Sequence, residues 1–152
     1  MPDLTRTFTF LGTGTSTGVP MVGCDCDVCR STDPRNHRYR CAVLIGTPAG
    51  NVLIDTPPEL RLQLLRAKVK VVHAVLYTHF HADHVYGLDD LRPIPRHLGG
   101  PVPLYCTIEV ERRLRPEKAY LTHMSHDLEH EATNRRLPKG VELAYDGLSF
   151  AF

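Results

Sequence analysis

The sequence predicts a mixed α/β (α+β) fold, on three observations. Short runs rich in β-branched and aromatic residues alternate with helix-patterned stretches along the whole chain. A hairpin signal comes early, at Thr47-Pro48-Ala49-Gly50, and strand–helix–strand patterns follow it. Two of the expected strands run straight into histidine, at Tyr77-Thr78-His79 and Leu121-Thr122-His123. In sheets with α/β connections, ligands gather at the carboxyl ends of strands.

Taken in order, Thr5 to Leu11 alternates β-branched and aromatic residues and is the first strand. It enters Gly12-Thr13-Gly14-Thr15-Ser16-Thr17-Gly18. This G-x-G-x-x-x-G spacing lacks the Gly-Lys-Ser/Thr of a P-loop and has no amphipathic helix behind it. Its expected use is a turn whose bare backbone lets another group come close. Cys41 to Gly46 and Asn51 to Ile54 flank the hairpin turn. The second run ends in Asp55, and Thr56-Pro57-Pro58-Glu59 opens a helix carrying the stripe Leu60, Leu64, Ala67.

Val69 to Tyr77 reads as a strand buried on both faces. Val85 to Leu91 is a short helix, with Asp83 placed to cap it if free of metal. Pro93, Pro95, Gly99, Gly100, Pro101 and Pro103 impose a loop. Val102 to Cys106, Thr107 to Leu114 and Lys118 to Thr122 then form strand, helix and strand, expected as a crossover joining a parallel pair. Asp127 caps a helix from Leu128 to Leu137, and Val141 to Phe152 closes with a hairpin at Asp146-Gly147. Thr78 and Thr122 sit where strand-end caps would.

The 152 residues suit one domain, with 42% hydrophobic and 23% charged residues. A formal net charge of +1 gives no global field toward nucleic acid or anionic membrane. No apolar run approaches the roughly 18 residues of a membrane span, and no signal-peptide core follows Met1-Pro2-Asp3. A cytoplasmic location is expected. In such a reducing compartment Cys24-Asp25-Cys26-Asp27-Val28-Cys29 reads as a metal site rather than a disulfide framework. His126, three residues past His123, can close it as a Cys3His structural zinc (Zn2+). Cys41 and Cys106 lie in apolar runs and are expected in the core. His37, His73, His97 and His130 are expected at the surface or in capping roles.

The stretch His79-Phe80-His81-Ala82-Asp83-His84 combines imidazole and carboxylate ligands suited to zinc, manganese or iron(II). His79 and His81 can share one side of an extended backbone, and His123 can reach the same sheet edge.

With Thr78-His79-Phe80-His81-Ala82-Asp83-His84 and the strand-end Asp55, the chain resembles the metallo-β-lactamase-fold hydrolases. Phe10-Leu11-Gly12-Thr13-Gly14-Thr15-Ser16, Cys24-x-Cys26-x-x-Cys29, Leu53-Ile54-Asp55-Thr56-Pro57-Pro58-Glu59 and Leu121-Thr122-His123-Met124-Ser125-His126 narrow the resemblance to the phosphoribosyl 1,2-cyclic phosphate phosphodiesterase branch. It implies an αββα sandwich, with His79 and His81 on a first active-site metal and Asp83, His84 and His123 on a second. Those ions would be Zn2+ or Mn2+. It also implies a structural zinc on Cys24, Cys26, Cys29 and His126, and an Asp55 that organises the metal loop by hydrogen bonding. Asp83 and Asp55 are thus the expected catalytic carboxylates.

The family's long segment before its final histidine strand has no counterpart, because Arg113-Leu114-Arg115-Pro116 joins the flanking regions directly. That segment carries a third first-metal histidine and an Asp bridging both metals. The expectation is therefore a single domain over residues 1–152, shortened around 113–116, with an abbreviated sandwich missing much of its second sheet. Its expected function is metal-dependent hydrolysis of phosphodiesters of the cyclic phosphate sugar class, by metal-activated water, with activity reduced or lost. The alternatives are a non-catalytic, zinc-stapled metal-binding module and a tRNA 3′-processing-nuclease-like hydrolase. A sandwich lacking half its layers leaves apolar surface, so a homodimer is expected.

Overall fold

The computed structural model describes residues 4–115, 117–121, 130–145 and 148. Five strands, β1 (Thr7–Gly12), β2 (Ala42–Thr47), β3 (Gly50–Ile54), β4 (Ala74–Leu76) and β5 (Leu104–Tyr105), form one sheet in that order. β1, β2 and β3 are antiparallel neighbours, whereas β3, β4 and β5 run parallel. Thr47 pairs with Gly50, leaving only Pro48 and Ala49 in the hairpin turn. Gly50 has φ 135°, and a Cβ there would lie 2.4 Å from the His73 ring, so the turn closes only on glycine.

Parallel neighbours require crossovers, and helices supply them. α1 (Leu60–Arg66) links β3 to β4. α2 (Ala82–Val85), a 3₁₀ turn at Leu88–Leu91 and α3 (Pro95–Leu98) lie between β4 and β5, and α4 (Ile108–Leu114) follows β5. β6 (Ala119–Leu121) and β7 (Val141–Leu143) make a separate two-stranded parallel sheet, with α5 (His130–Asn134) between them in sequence. Among the described residues, no helix is long and apolar enough to cross a membrane.

The two faces of the large sheet differ. Leu44, Leu53 and Val75 share one cross-strand row and are fully buried, in one cluster with Leu60, Leu64, Val85, Leu91, Ile94 and Val110. Each such side chain contributes about 1.5–3 kcal/mol by leaving water. The opposite face carries the rows Phe10–Val43–Ile54–Leu76–Tyr105 and Phe8–Ile45–Val52–Ala74. There Phe8 is 58% and Phe10 67% exposed, their rings edge to face at 5.1 Å. A sandwich packs its second sheet on such a face. Among the described residues the other sheet consists of β6 and β7 alone.

Several expectations change. The ladder in Val69–Tyr77 covers only Ala74–Leu76. Val69 and Val72 are buried because residues 69–73 lead from α1 back to the sheet, where Val71 O and His73 N bond the side chain and backbone of Asn51. The Pro/Gly loop contains α3, with Pro95 in its first turn and Gly99 (φ 78°) ending it in the left-handed conformation. The expected parallel partnership of the strands flanking α4 is absent: β5 pairs with β4, and β6 with β7. Arg115 (φ 50°) turns the chain out of α4, and β6 starts the other sheet. The crossover is instead β6–α5–β7.

Asp83 lies in the first turn of α2, whose N-cap is His81, and makes no capping bond. Cys41 is exposed because it precedes the buried run Ala42–Leu44. Cys106 is partly buried, and burial pushes its thiol upward. The expectations for Thr122, Asp127 and the Asp146-Gly147 hairpin fall outside the described residues.

Leu53→Ala leaves a cavity in the middle of the sheet's buried face. Chemical denaturation should show a loss of about 2–5 kcal/mol, and an unchanged midpoint would contradict this placement of the core.

Candidate metal centre

The parallel register of β3 and β4 builds the site. Ile54 pairs with Leu76, so both strands end at the same edge, and Asp55 N donates to Leu76 O at 2.9 Å. Asp55 is only 3% exposed and adopts φ 62°, a left-handed turn that Asp tolerates better than most residues. This turns its carboxylate across the end of β4. Oδ1 accepts from Thr78 N at 2.8 Å, and Oδ2 accepts from Thr78 Oγ1 and His84 Nδ1, each at 2.7 Å. One buried carboxylate thus fastens both ends of the His79–His84 loop.

The layer beneath is equally tied. Thr56 N donates to His84 O at 2.7 Å, and Gly87 N donates to Thr56 O at 2.8 Å. A Cβ on Gly87 would lie 2.0 Å from Pro57 O, so this approach needs glycine. Thr56 Oγ1 and Tyr77 Oη are 2.9 Å apart. Burial pushes the Tyr77 phenol up to about 12, against the opposing effect of the Thr56 bond, so it stays neutral at any working pH.

Above Asp55 the imidazoles converge. The His79 ring centroid lies 4.0 Å from that of His84 and 4.5 Å from that of His81. Because Asp55 can only accept, His84 Nδ1 carries a proton toward it, and Nε2 lies 3.4 Å from Asp83 Oδ2. Asp83 and His84 side chains are 19% and 17% exposed, sheltered but open to solvent on one side. The structure therefore brings together Asp55, His79, His81, Asp83 and His84; His123 lies outside the described residues. Imidazoles beside a carboxylate are the donor types of a divalent transition-metal site, although among the described residues the trio Cys24, Cys26 and Cys29 is the group whose donor atoms already lie within 4.8 Å of one another.

At the second cluster, the Sγ atoms of Cys24, Cys26 and Cys29 lie within 4.8 Å of one another. Tetrahedral zinc with Zn–S near 2.3 Å places sulfurs about 3.8 Å apart, so little movement is needed to bind one. Met21 N donates to Cys29 Sγ at 3.4 Å. The Cys29 backbone N–H, helped by the thiols of Cys24 and Cys29, holds the Cys26 thiol below its usual range, while Cys29, against the lowering bond from Met21 N, is pushed up by burial and by the neighbouring thiols. The three cysteines can hold a metal; His126, the expected fourth ligand, is outside the described residues.

Two features were not read from the sequence. Thr78 does more than end a strand, since both its N–H and hydroxyl engage Asp55. Arg40 bonds Ser16 O through Nε at 2.6 Å and pairs with Glu59, tying the glycine-rich turn to the start of α1. Close approach does occur in that turn: a Cβ on Gly12 would meet Arg40 O at 2.0 Å. A partner about twenty positions away leaves no local pattern for either residue.

Residues 50–152 match the family described as Beta-lactamase superfamily domain, more than half of the chain, and the protein belongs to that superfamily. Its fold is that of the metallo-β-lactamase-like hydrolases. Among solved structures it is similar to a diphosphatase from the PhnP family, with 32% identity, a TM-score of 0.68, and coverage of 95% of this chain and 97% of the other. Coenzyme PQQ synthesis protein B of Methylorubrum populi is 31% identical over 111 residues, 64% of this chain and 36% of that protein. An octanoyltransferase of Porphyromonas gingivalis is 57% identical over 88 residues, 57% of this chain and 18% of that protein. The chain thus spans well under half the length of these two relatives. Most of the octanoyltransferase lies outside the match, and its name carries no chemistry to this site.

Asp55→Asn keeps a residue suited to the left-handed turn but sets an amide N–H2 against a donor. Zinc affinity at the histidine cluster should fall by about 10–100-fold, measured by competition with a chromogenic chelator; an unchanged affinity would contradict the bonding scheme. At the other cluster, zinc should protect Cys24, Cys26 and Cys29 from iodoacetamide while Cys41 stays reactive. Peptide mass mapping reads this directly, and equal labelling with and without zinc would exclude a cysteine-bound metal.

Proposed function

We propose that the protein is a metal-dependent hydrolase acting on phosphodiester bonds of small molecules, of the cyclic phosphate sugar class. The observation that carries this reading is the convergence of His79, His81, His84 and Asp83 over the buried Asp55 carboxylate. The similarity to a PhnP-family diphosphatase supports hydrolysis at a phosphoryl group over other hydrolyses, and the net charge of +1 favours a small substrate over a polyanion.

His79, His81, Asp83 and His84 would hold a Zn2+ or Mn2+ ion, which would supply Lewis acidity toward a phosphoryl oxygen and toward water near neutral pH. The chain's own groups do the rest. Asp55 fixes the orientation of His84 and of the loop backbone. Asp83, sheltered beside His84 Nε2, is placed to bind the ion and to take a proton from the attacking water. The bridging Asp and third first-metal histidine have no counterpart around Arg113–Pro116, so the reading includes slow turnover.

Bis(p-nitrophenyl) phosphate tests it. Zinc- or manganese-loaded protein should hydrolyse the ester at a low rate that a chelator abolishes. His79→Ala and Asp83→Ala should each cut that rate by more than about 10-fold. Hydrolysis that survives both substitutions, or none in loaded wild-type protein, would overturn the proposal in favour of a binding module.

A further inference from the structure

We infer that Thr78 is a positioning residue that sets the tautomer of His79, so that one carboxylate, Asp55, governs the metal-facing nitrogens of two histidines. The inference rests on the reading of His79 as a metal ligand and extends it to a residue outside the ligand set.

The hydrogen-bond arithmetic leaves one arrangement. A threonine hydroxyl has a single proton and two lone pairs. Thr78 Oγ1 lies 2.7 Å from Asp55 Oδ2 and 3.0 Å from His79 Nδ1. The carboxylate oxygen can only accept, so the hydroxyl proton points to Asp55. Two lone pairs facing each other at 3.0 Å would repel, so His79 Nδ1 carries the other proton and donates to Thr78. Its Nε2 is then unprotonated and free to ligate. At His84 the proton on Nδ1 is held without an intermediary, since Nδ1 meets Asp55 Oδ2 at 2.7 Å.

The backbone locks the relay in place. Thr78 N donates to Asp55 Oδ1 at 2.8 Å, so the carboxylate grips Thr78 at two points and cannot rotate away from its hydroxyl. Asp55 itself is held by its N–H to Leu76 O. A free neutral histidine favours the proton on Nε2, which would leave Nδ1 as the unprotonated nitrogen instead. Removing the hydroxyl should return His79 to that preference. Valine at position 78 matches the shape of threonine and retains the backbone bond, whereas serine restores the hydroxyl.

Long-range ¹H–¹⁵N correlation of the metal-free protein, at a pH where the imidazoles are neutral, reads the tautomer directly. Wild type should show His79 with protonated Nδ1 and unprotonated Nε2. Thr78→Val should shift the population toward protonated Nε2 and weaken cobalt(II) binding at the histidine cluster by about 10–100-fold, and Thr78→Ser should restore both. Cobalt at the cysteines is separated by its thiolate charge-transfer bands. A protonated Nε2 in wild-type His79, cobalt affinity unchanged in Thr78→Val, or no restoration by Thr78→Ser would each overturn the relay. Cobalt affinity in His79→Ala tests the ligand reading by itself, because the tautomer measurement is made without metal.

Discussion

The site depends on one buried carboxylate. Asp55 leaves β3 in a left-handed turn and accepts three hydrogen bonds from the segment that follows β4. Everything chemical in the loop hangs from those bonds: the backbone of Thr78 at one end, the ring of His84 at the other, and His79 through the Thr78 hydroxyl. A carboxylate this deep would be costly without partners, and the three donors offset that cost while fixing geometry. Thr56, Tyr77 and Gly87 form a second tier that holds the helix carrying Asp83 and His84 against the sheet.

The sheet explains why such a site exists in so short a chain. Parallel pairing of β3 and β4 brings the two loop-bearing strand ends side by side, and the helices pack on one face to hold the strands there. The other face, with Phe8 and Phe10 well exposed, contributes little to this half of the site. The chain therefore has the core needed to position the Asp55–His84 assembly.

Local pattern carried part of this structure. The β2–β3 hairpin was legible because apolar runs flank a short turn, and α1 because Thr56-Pro57-Pro58-Glu59 precedes a leucine stripe. The extent of β4 was not, because Val69 and Val72 are buried under the crossover rather than in a ladder, and apolar runs look alike in both settings. The partnership of β6 with β7 was missed for a related reason: adjacency in sequence favoured β5, and pairing was decided by a left-handed exit at Arg115. The candidate metal-site residues His79, His81, Asp83 and His84 stood out by type and spacing, and Asp55 by resemblance. The relay through Thr78 did not, since its partner lies 23 positions away and the contact exists only once two parallel strands are in register.

The account is tested most directly by an anomalous difference map at the zinc edge from crystals of the zinc-loaded protein. It predicts one peak among the Sγ atoms of Cys24, Cys26 and Cys29, and another among the side chains of His79, His81, Asp83 and His84. A map with density at the cysteines and none over Asp55 would contradict the claim that this carboxylate holds a metal-binding loop in place.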